Sequence, residues 1–194
     1  MTQYGAIPTV YKGIRFRSRL EATWAALFDE LRWPWEFEAI DLKGYIPDFL
    51  LTFEPRPVLV EVKPIWTLEA AAPHAERIIG AGWEDEAVVV GFAPMRLEAW
   101  PVPVLGWMRD VPDSDPIDFL YLWHAKQEGW GPGLLAGCSS HMGLGLYHAM
   151  LGQHCRVCER RRYLVPSWGD TDATTAVSAA WAAARNAVQW TPRA

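Results

Sequence analysis

No apolar run in this chain approaches the ~20 residues that a bilayer-crossing helix needs. The opening Met1-Thr-Gln-Tyr-Gly lacks the basic stretch and apolar run of a secretion signal. The expectation is a cytoplasmic protein with no membrane partner. Cysteine is scarce, 3 in 194 residues, and the odd count argues against a disulfide framework. Positive charge is short as well. Lys and Arg number 18 against 23 Asp and Glu, for a net charge of −5, which argues against a protein that coats nucleic acid. No internal repeat is visible, so repeat architectures drop out.

What is present begins with material for a core. Hydrophobic residues make up 51% of the chain and charged residues 21%, the balance of a globular protein with one ordinary domain and an appendage. Tryptophan is abundant, at 12. Most of these rings belong in the core, where they bury large areas, and one or two exposed rings are able to stack on unpaired bases. The basic residues are gathered rather than spread. Lys12, Arg15, Arg17 and Arg19 fall close together, as do Arg156, Arg160, Arg161 and Arg162. Such runs are ordinarily solvated faces; the alternative, given that each lies near a motif region, is that they face phosphate, the first group as the candidate nucleic-acid contact.

The most informative stretch runs from Tyr45 to Pro64. Val58 to Lys63 is β-branched and apolar, with Glu61 and Lys63 set into it at a spacing of two, which puts both on one face of a strand. Ile46 to Phe53 is also strand-like and carries Asp48 near its start. Pro55, Arg56 and Pro57 in the connection fold the two strands into a hairpin that brings Asp48 towards Glu61 and Lys63. Charged groups are seldom buried unless paired or bound to metal. Two carboxylates and an ammonium suit metal-assisted phosphodiester hydrolysis. The carboxylates Asp48 and Glu61 hold Mg²⁺ or Mn²⁺, and Lys63 orients the attacking water. The plain alternative is a surface hairpin with a Glu–Lys pair.

Pro47-Asp48 followed by Glu61-Val62-Lys63, with Arg17-Ser18-Arg19-Leu20-Glu21 upstream, resembles the signature of the PD-(D/E)xK nuclease superfamily. The run is similar to the endonuclease subunits that cut transposon ends, and to small phage and bacterial nucleases of the very-short-patch-repair and restriction type. The resemblance covers roughly residues 11 to 92. It implies an α/β restriction-endonuclease-like core, with a central mixed sheet flanked by helices, and a DNA substrate. It also implies that Glu21, on the helix before the sheet, completes the metal site. Ser18 and Glu21 equally form a capping box, so the two roles compete for one carboxylate. Further implications are a homodimer or a larger nucleoprotein complex, including a transposition-type subunit active only beside its partners. The rival from another class is a non-catalytic protein that binds nucleic acid or a partner on a nuclease scaffold.

Taken in order, Ser18 opens a helix whose Leu20, Trp24, Leu27, Phe28 and Leu31 share a face, and Pro34 ends it. Trp35 to Ile40 alternates as an edge strand. Leu68 to Ile79 reads as a helix closed by Gly80 and Gly82, and Ala87 to Phe92 as a buried strand. Further strands are expected at Arg96–Trp100 and Val104–Arg109, helix or strand at Ile117–Lys126, and a loop or boundary at Gly129–Gly133. Thr171 to Val188 is an alanine-rich helix capped by Asp170 or Asp172. The division is a nuclease-like core at 1–125 and a zinc-binding segment with the C-terminal helix at 126–194.

All three cysteines lie in that second part. Cys138-Ser-Ser-His141 and Cys155-Arg-Val-Cys158 are both two-spacer pairs, the spacing of structural zinc knuckles. Cys138, His141, Cys155 and Cys158 form a Cys₃His set suited to Zn²⁺, with His148 and His154 as rival fourth ligands. Three unrelated thiols, or a disulfide between two of them, are the alternatives. Four protein ligands leave no open position, so the zinc is expected to be structural.

Overall fold

The Ser18 side chain caps the first helix by accepting from the Glu21 backbone N–H at 3.1 Å, and α1 runs Arg19–Glu30. The helix does not wait for Pro34 to end. Arg32 takes a left-handed φ of 57°, and the Arg32 and Trp33 N–H groups turn back to the carbonyls of Asp29 and Phe28. That is a Schellman closure with arginine where glycine is usual. The computed structural model describes residues 6–67, 69–100, 102–109, 130–138, 143–148, 155–158 and 171–189. Among these, no helix is long and apolar enough to cross a membrane.

Before α1, β1 (Thr9–Tyr11) and β2 (Ile14–Phe16) form a small antiparallel hairpin. After it come β3 (Trp35–Phe37), β4 (Phe49–Leu51), β5 (Val58–Val62), a short 3₁₀ turn and α2 (Ala72–Gly80). Then follow β6 (Ala87–Met95), β7 (Val104–Arg109), β8 (Trp130–Cys138), β9 (Gly143–His148) and α3 (Thr171–Ala187). Strands β3 to β9 lie side by side in sequence order in one curled sheet. All neighbours are antiparallel except β5 and β6, which run parallel across the α2 crossover. The chain is thus α/β, with a mixed sheet flanked by helices.

The two faces of the sheet bury different helices. Val58, Val60 and Val62 of β5 and Val88 and Val90 of β6 share a core with Trp24, Leu27 and Phe28 of α1 and Val177 and Ala184 of α3. The intervening Leu59, Ala87 and Val89 pack with Ala75 and Ile78 of α2. Both strands are covered on both sides, which is why they read as continuous apolar runs. Trp24 fixes α1 to the sheet through its Nε1–H, which donates to the Gly91 carbonyl at 2.8 Å, and its ring meets Trp181 of α3 at 5.0 Å.

Several expected boundaries move. The strand expected at Ile46–Phe53 is regular only over Phe49–Leu51. That at Trp35–Ile40 stops at Phe37 because Glu38 takes φ 50°. Gly80 is the last residue of α2, and Gly82, at φ 85°, makes the reversal; Leu68 lies outside the described residues. The buried strand expected at Ala87–Phe92 runs on to Met95. Residues 96–100 are not a strand. The largest correction is at Gly129–Gly133, read as loop: Trp130 to Gly133 belong to β8. Among the described residues Pro132 pairs with Trp107 of β7, and the ladder to β9 begins at Gly133. The segments Ile117–Lys126 and Arg160–Arg162, and Asp170, lie outside the described residues, as does the side chain of Asp172.

Candidate functional site

Asp48 and Glu61 meet because of strand register. Phe49 stands opposite Val60 in the antiparallel β4–β5 pair, and one further step sets Asp48 opposite Glu61, on the same side of the sheet. Both are nearly inaccessible, at 2% and 3% exposure. Asp48 Oδ2 accepts from the Val62 backbone N–H at 2.8 Å. Lys63, two residues beyond Glu61, places its ammonium against Glu61 Oε1 and 3.8 Å from Asp48 Oδ2. The three residues singled out in the sequence are therefore together.

A fourth group occupies the remaining Asp48 oxygen. Arg17 Nη2 lies 2.6 Å from Asp48 Oδ1 and 3.1 Å from Glu38 Oε1. Burial works against its charge, but Asp48, Glu38 and Glu21 together hold the guanidinium firmly protonated. Glu21 itself serves its own helix start. One oxygen accepts from the Ser18 hydroxyl at 2.8 Å and the other from the Arg17 N–H at 3.0 Å. Its link to Asp48 runs through the Arg17 guanidinium. Among the described residues, no third carboxylate, thiol or imidazole joins Asp48 and Glu61 in a group tight enough to hold one ion.

Burial and the neighbouring Glu61 charge push the Asp48 carboxyl up to about 6, against the opposing pull of Lys63, the Val62 N–H and Arg17. Behind Glu61 stands Tyr45, whose phenol is held above its ordinary range by burial and then by the Glu61 charge. The Tyr45 hydroxyl and Glu61 Oε2 are both buried, and neither makes a well-formed hydrogen bond among the described residues. His74, in the first turn of α2, is held below the ordinary imidazole value by burial and by the charges of Lys63 and Arg77. Glu38, Tyr45 and His74 were not recognised as parts of the site from sequence, and Arg17 was read there only as a phosphate contact, not as the partner of Asp48.

The other basic residues of the N-terminal group divide. Lys12 is paired with Asp29 at 2.9 Å, an oxygen that also accepts from the Tyr11 hydroxyl. Arg15 and Arg19 are exposed. Only Arg17 reaches the two-carboxylate centre.

The cysteines form a second centre. The sulfurs of Cys138, Cys155 and Cys158 all lie within 4.8 Å of one another, with Cys138 and Cys158 at 3.6 Å. Cys138 ends β8. The turn 155–158 docks on β9 through the Arg156 N–H, which donates to the Leu146 carbonyl at 2.9 Å. Gly145 makes the docking possible, since a Cβ there would stand 2.5 Å from the Cys155 sulfur. Burial and the adjacent Cys138 sulfur push the Cys155 thiol up to about 12, so its thiolate needs a cation beside it. The cluster can hold a metal ion, and the donor set is compatible with structural zinc. His141, His154 and the side chain of His148 lie outside the described residues. Arg156 also reaches away from the cluster, to Glu86 Oε1 just before β6, at 2.8 Å.

Comparison with protein-family models, with curated proteins and with solved structures gives no match to this chain.

Proposed function

We propose that this chain is a Mg²⁺- or Mn²⁺-dependent DNA endonuclease with a restriction-endonuclease-like core. The observation that carries the reading is the buried pair Asp48 and Glu61, set opposite each other with the Lys63 ammonium against both. Removing two carboxylates from water is costly, and Glu61 Oε2 is buried with only the Tyr45 hydroxyl close by and no well-formed hydrogen bond among the described residues. Such an oxygen fits a hard divalent cation, which prefers carboxylate ligands. Helix, three strands, helix and strand, in the order α1 to β6, support the core fold.

Asp48 and Glu61 are the residues to hold the ion, which when bound polarises a phosphate and lowers the pKa of a bound water. Lys63 stands where it can hold that water and balance charge developing on the phosphate. Arg17 neutralises Asp48 and is half exposed, so it is placed to exchange a carboxylate for a phosphate oxygen. Glu21 fixes Arg17 from behind by accepting its backbone N–H. At the second centre, Cys138, Cys155 and Cys158 hold Zn²⁺, with His141 as fourth ligand and His148 or His154 as substitutes.

The test is cleavage of end-labelled DNA by the purified protein with Mg²⁺ or Mn²⁺. Asp48→Ala and Lys63→Ala are each expected to lose ~10²-fold or more in rate while remaining folded. Full activity in either variant, or activity that survives EDTA, overturns the reading. One observation favours a second reading, a non-catalytic binding protein: the guanidinium of Arg17 already satisfies Asp48 Oδ1. DNA binding without metal-dependent cleavage would decide for it.

A further inference from the structure

Trp66 is 70% exposed, while every other described tryptophan is buried or half-buried. An isolated exposed apolar side chain needs no explanation. This one is held in place and follows Lys63 by three residues. One face of its ring is stacked on Phe92, with centroids 4.4 Å apart and planes 26° apart, which leaves the opposite face to solvent. The segment leading to it is fastened to β6. The Lys63 N–H donates to the Val90 carbonyl at 2.9 Å, and the Phe92 N–H donates to the Ile65 carbonyl at 3.1 Å. Gly91 permits that approach, because a Cβ there would come within 2.5 Å of the Ile65 oxygen. The ring is thus displayed on a rigid base three residues after Lys63.

We propose that the open face of Trp66 is a stacking platform for one unpaired base beside the phosphate that Lys63 serves. The inference rests on the nuclease reading and narrows it, because it names the substrate as DNA with unpaired nucleotides next to the cut. Three residues span at most about 10 Å, and bases along one strand repeat every ~3.4 Å. The two side chains add their own reach to that span, so the base on Trp66 is expected within several nucleotides of the cut. Inside a fully paired duplex both faces of each base are covered by its neighbours. A flat, solvent-facing ring finds a partner only where a base is unstacked, as at a fork, flap, bulge or flipped nucleotide. Stacking of this kind tolerates any base, so the platform selects structure rather than sequence.

The test is binding by fluorescence anisotropy without added divalent metal, using forked DNA, single-stranded DNA and a fully paired duplex of the same sequence. Wild-type protein is expected to prefer the fork over the duplex. Trp66→Ala should lower that fork-to-duplex ratio by roughly tenfold, within the range measured for base–aromatic stacking. Trp66→Phe should keep most of it. Replacing single bases near the junction by abasic sites should locate one position where the Trp66→Ala loss disappears. A ratio unchanged in Trp66→Ala, or an equal loss on all three DNAs, overturns the proposal. The nuclease reading is judged separately, by metal-dependent cleavage in wild type against Lys63→Ala. Cleavage with an unchanged ratio sinks the platform alone. A Trp66-dependent ratio without cleavage keeps the platform and removes the catalysis.

Discussion

At the scale of single residues, the candidate site is a balance of charges in a dry place. Asp48 and Glu61 repel each other, Lys63 and Arg17 offset the repulsion, and burial penalises the charged forms. The net result is a carboxyl at Asp48 pushed up to about 6, against about 3.9 in an unfolded chain. The sign of the linkage follows. Between these two values the folded state binds the proton more tightly than the unfolded state does. Asp48 therefore favours the fold most below about pH 3.9, and that contribution is lost as pH rises through about 6. Without added Mg²⁺, the melting temperature of Asp48→Asn relative to wild type should climb as pH rises across this window. If the proposed function holds, the same balance should make Mg²⁺ more stabilising at pH 7 than at pH 5, since a protonated Asp48 is a poor ligand. Thermal melts of both proteins across pH 4 to 8, with and without Mg²⁺, check this. A difference between the two that does not vary with pH would show that Asp48 is not the titrating group.

At the scale of elements, the start of α1 and the β4–β5 hairpin set the geometry together. Ser18 and Glu21 close a capping box whose acidic partner also holds the Arg17 backbone. Ser18→Ala removes the side-chain acceptor at the helix start and should cost about 1 kcal/mol in urea denaturation. It should also loosen Arg17 and weaken binding to DNA, an effect that a remote cap of equal strength would not have. The hairpin was legible in sequence because Asp48, Glu61 and Lys63 are set into strongly apolar strands at a period of two, and antiparallel register does the rest. The part played by Arg17 was not. A side chain that crosses from one element to another leaves no periodic trace, and its neighbours Arg15 and Arg19 look the same in sequence. Strand β8 was hidden for a different reason. Trp130-Gly-Pro-Gly133 has the composition of a loop, and it is the ladder to β7, with Met108 close against Gly133, that makes it a strand.

At the scale of the whole molecule, the thiol cluster is tied to the sheet that carries the candidate catalytic centre. β8 and β9 extend that sheet, Trp33 donates to the Leu144 carbonyl at 3.2 Å, and α3 lies against α1. The cysteine spacing pointed to a metal; it held nothing about Arg156, which carries the turn 155–158 onto Glu86. Purified protein should contain about one zinc per chain, and Cys155→Ser should lose it. Zinc absent from protein prepared without chelator removes that assignment. Loss of zinc should lower one cooperative unfolding transition rather than create a second, because the cluster shares its strands with the core. The Glu86–Arg156 pair supplies the sharper test. Glu86 is 2% exposed and the Arg156 side chain 10%, so the pair sits in a poorly hydrated site where losing one partner is costly. Arg156→Ala and Glu86→Ala should each cost about 3–5 kcal/mol, whereas replacing both by apolar residues of similar volume should recover most of the loss. Chemical denaturation of the two single variants and of Glu86→Leu/Arg156→Met measures the coupling directly. Additive losses in the double variant would mean that the two residues act separately, and that the pair is not what fastens the turn to the sheet.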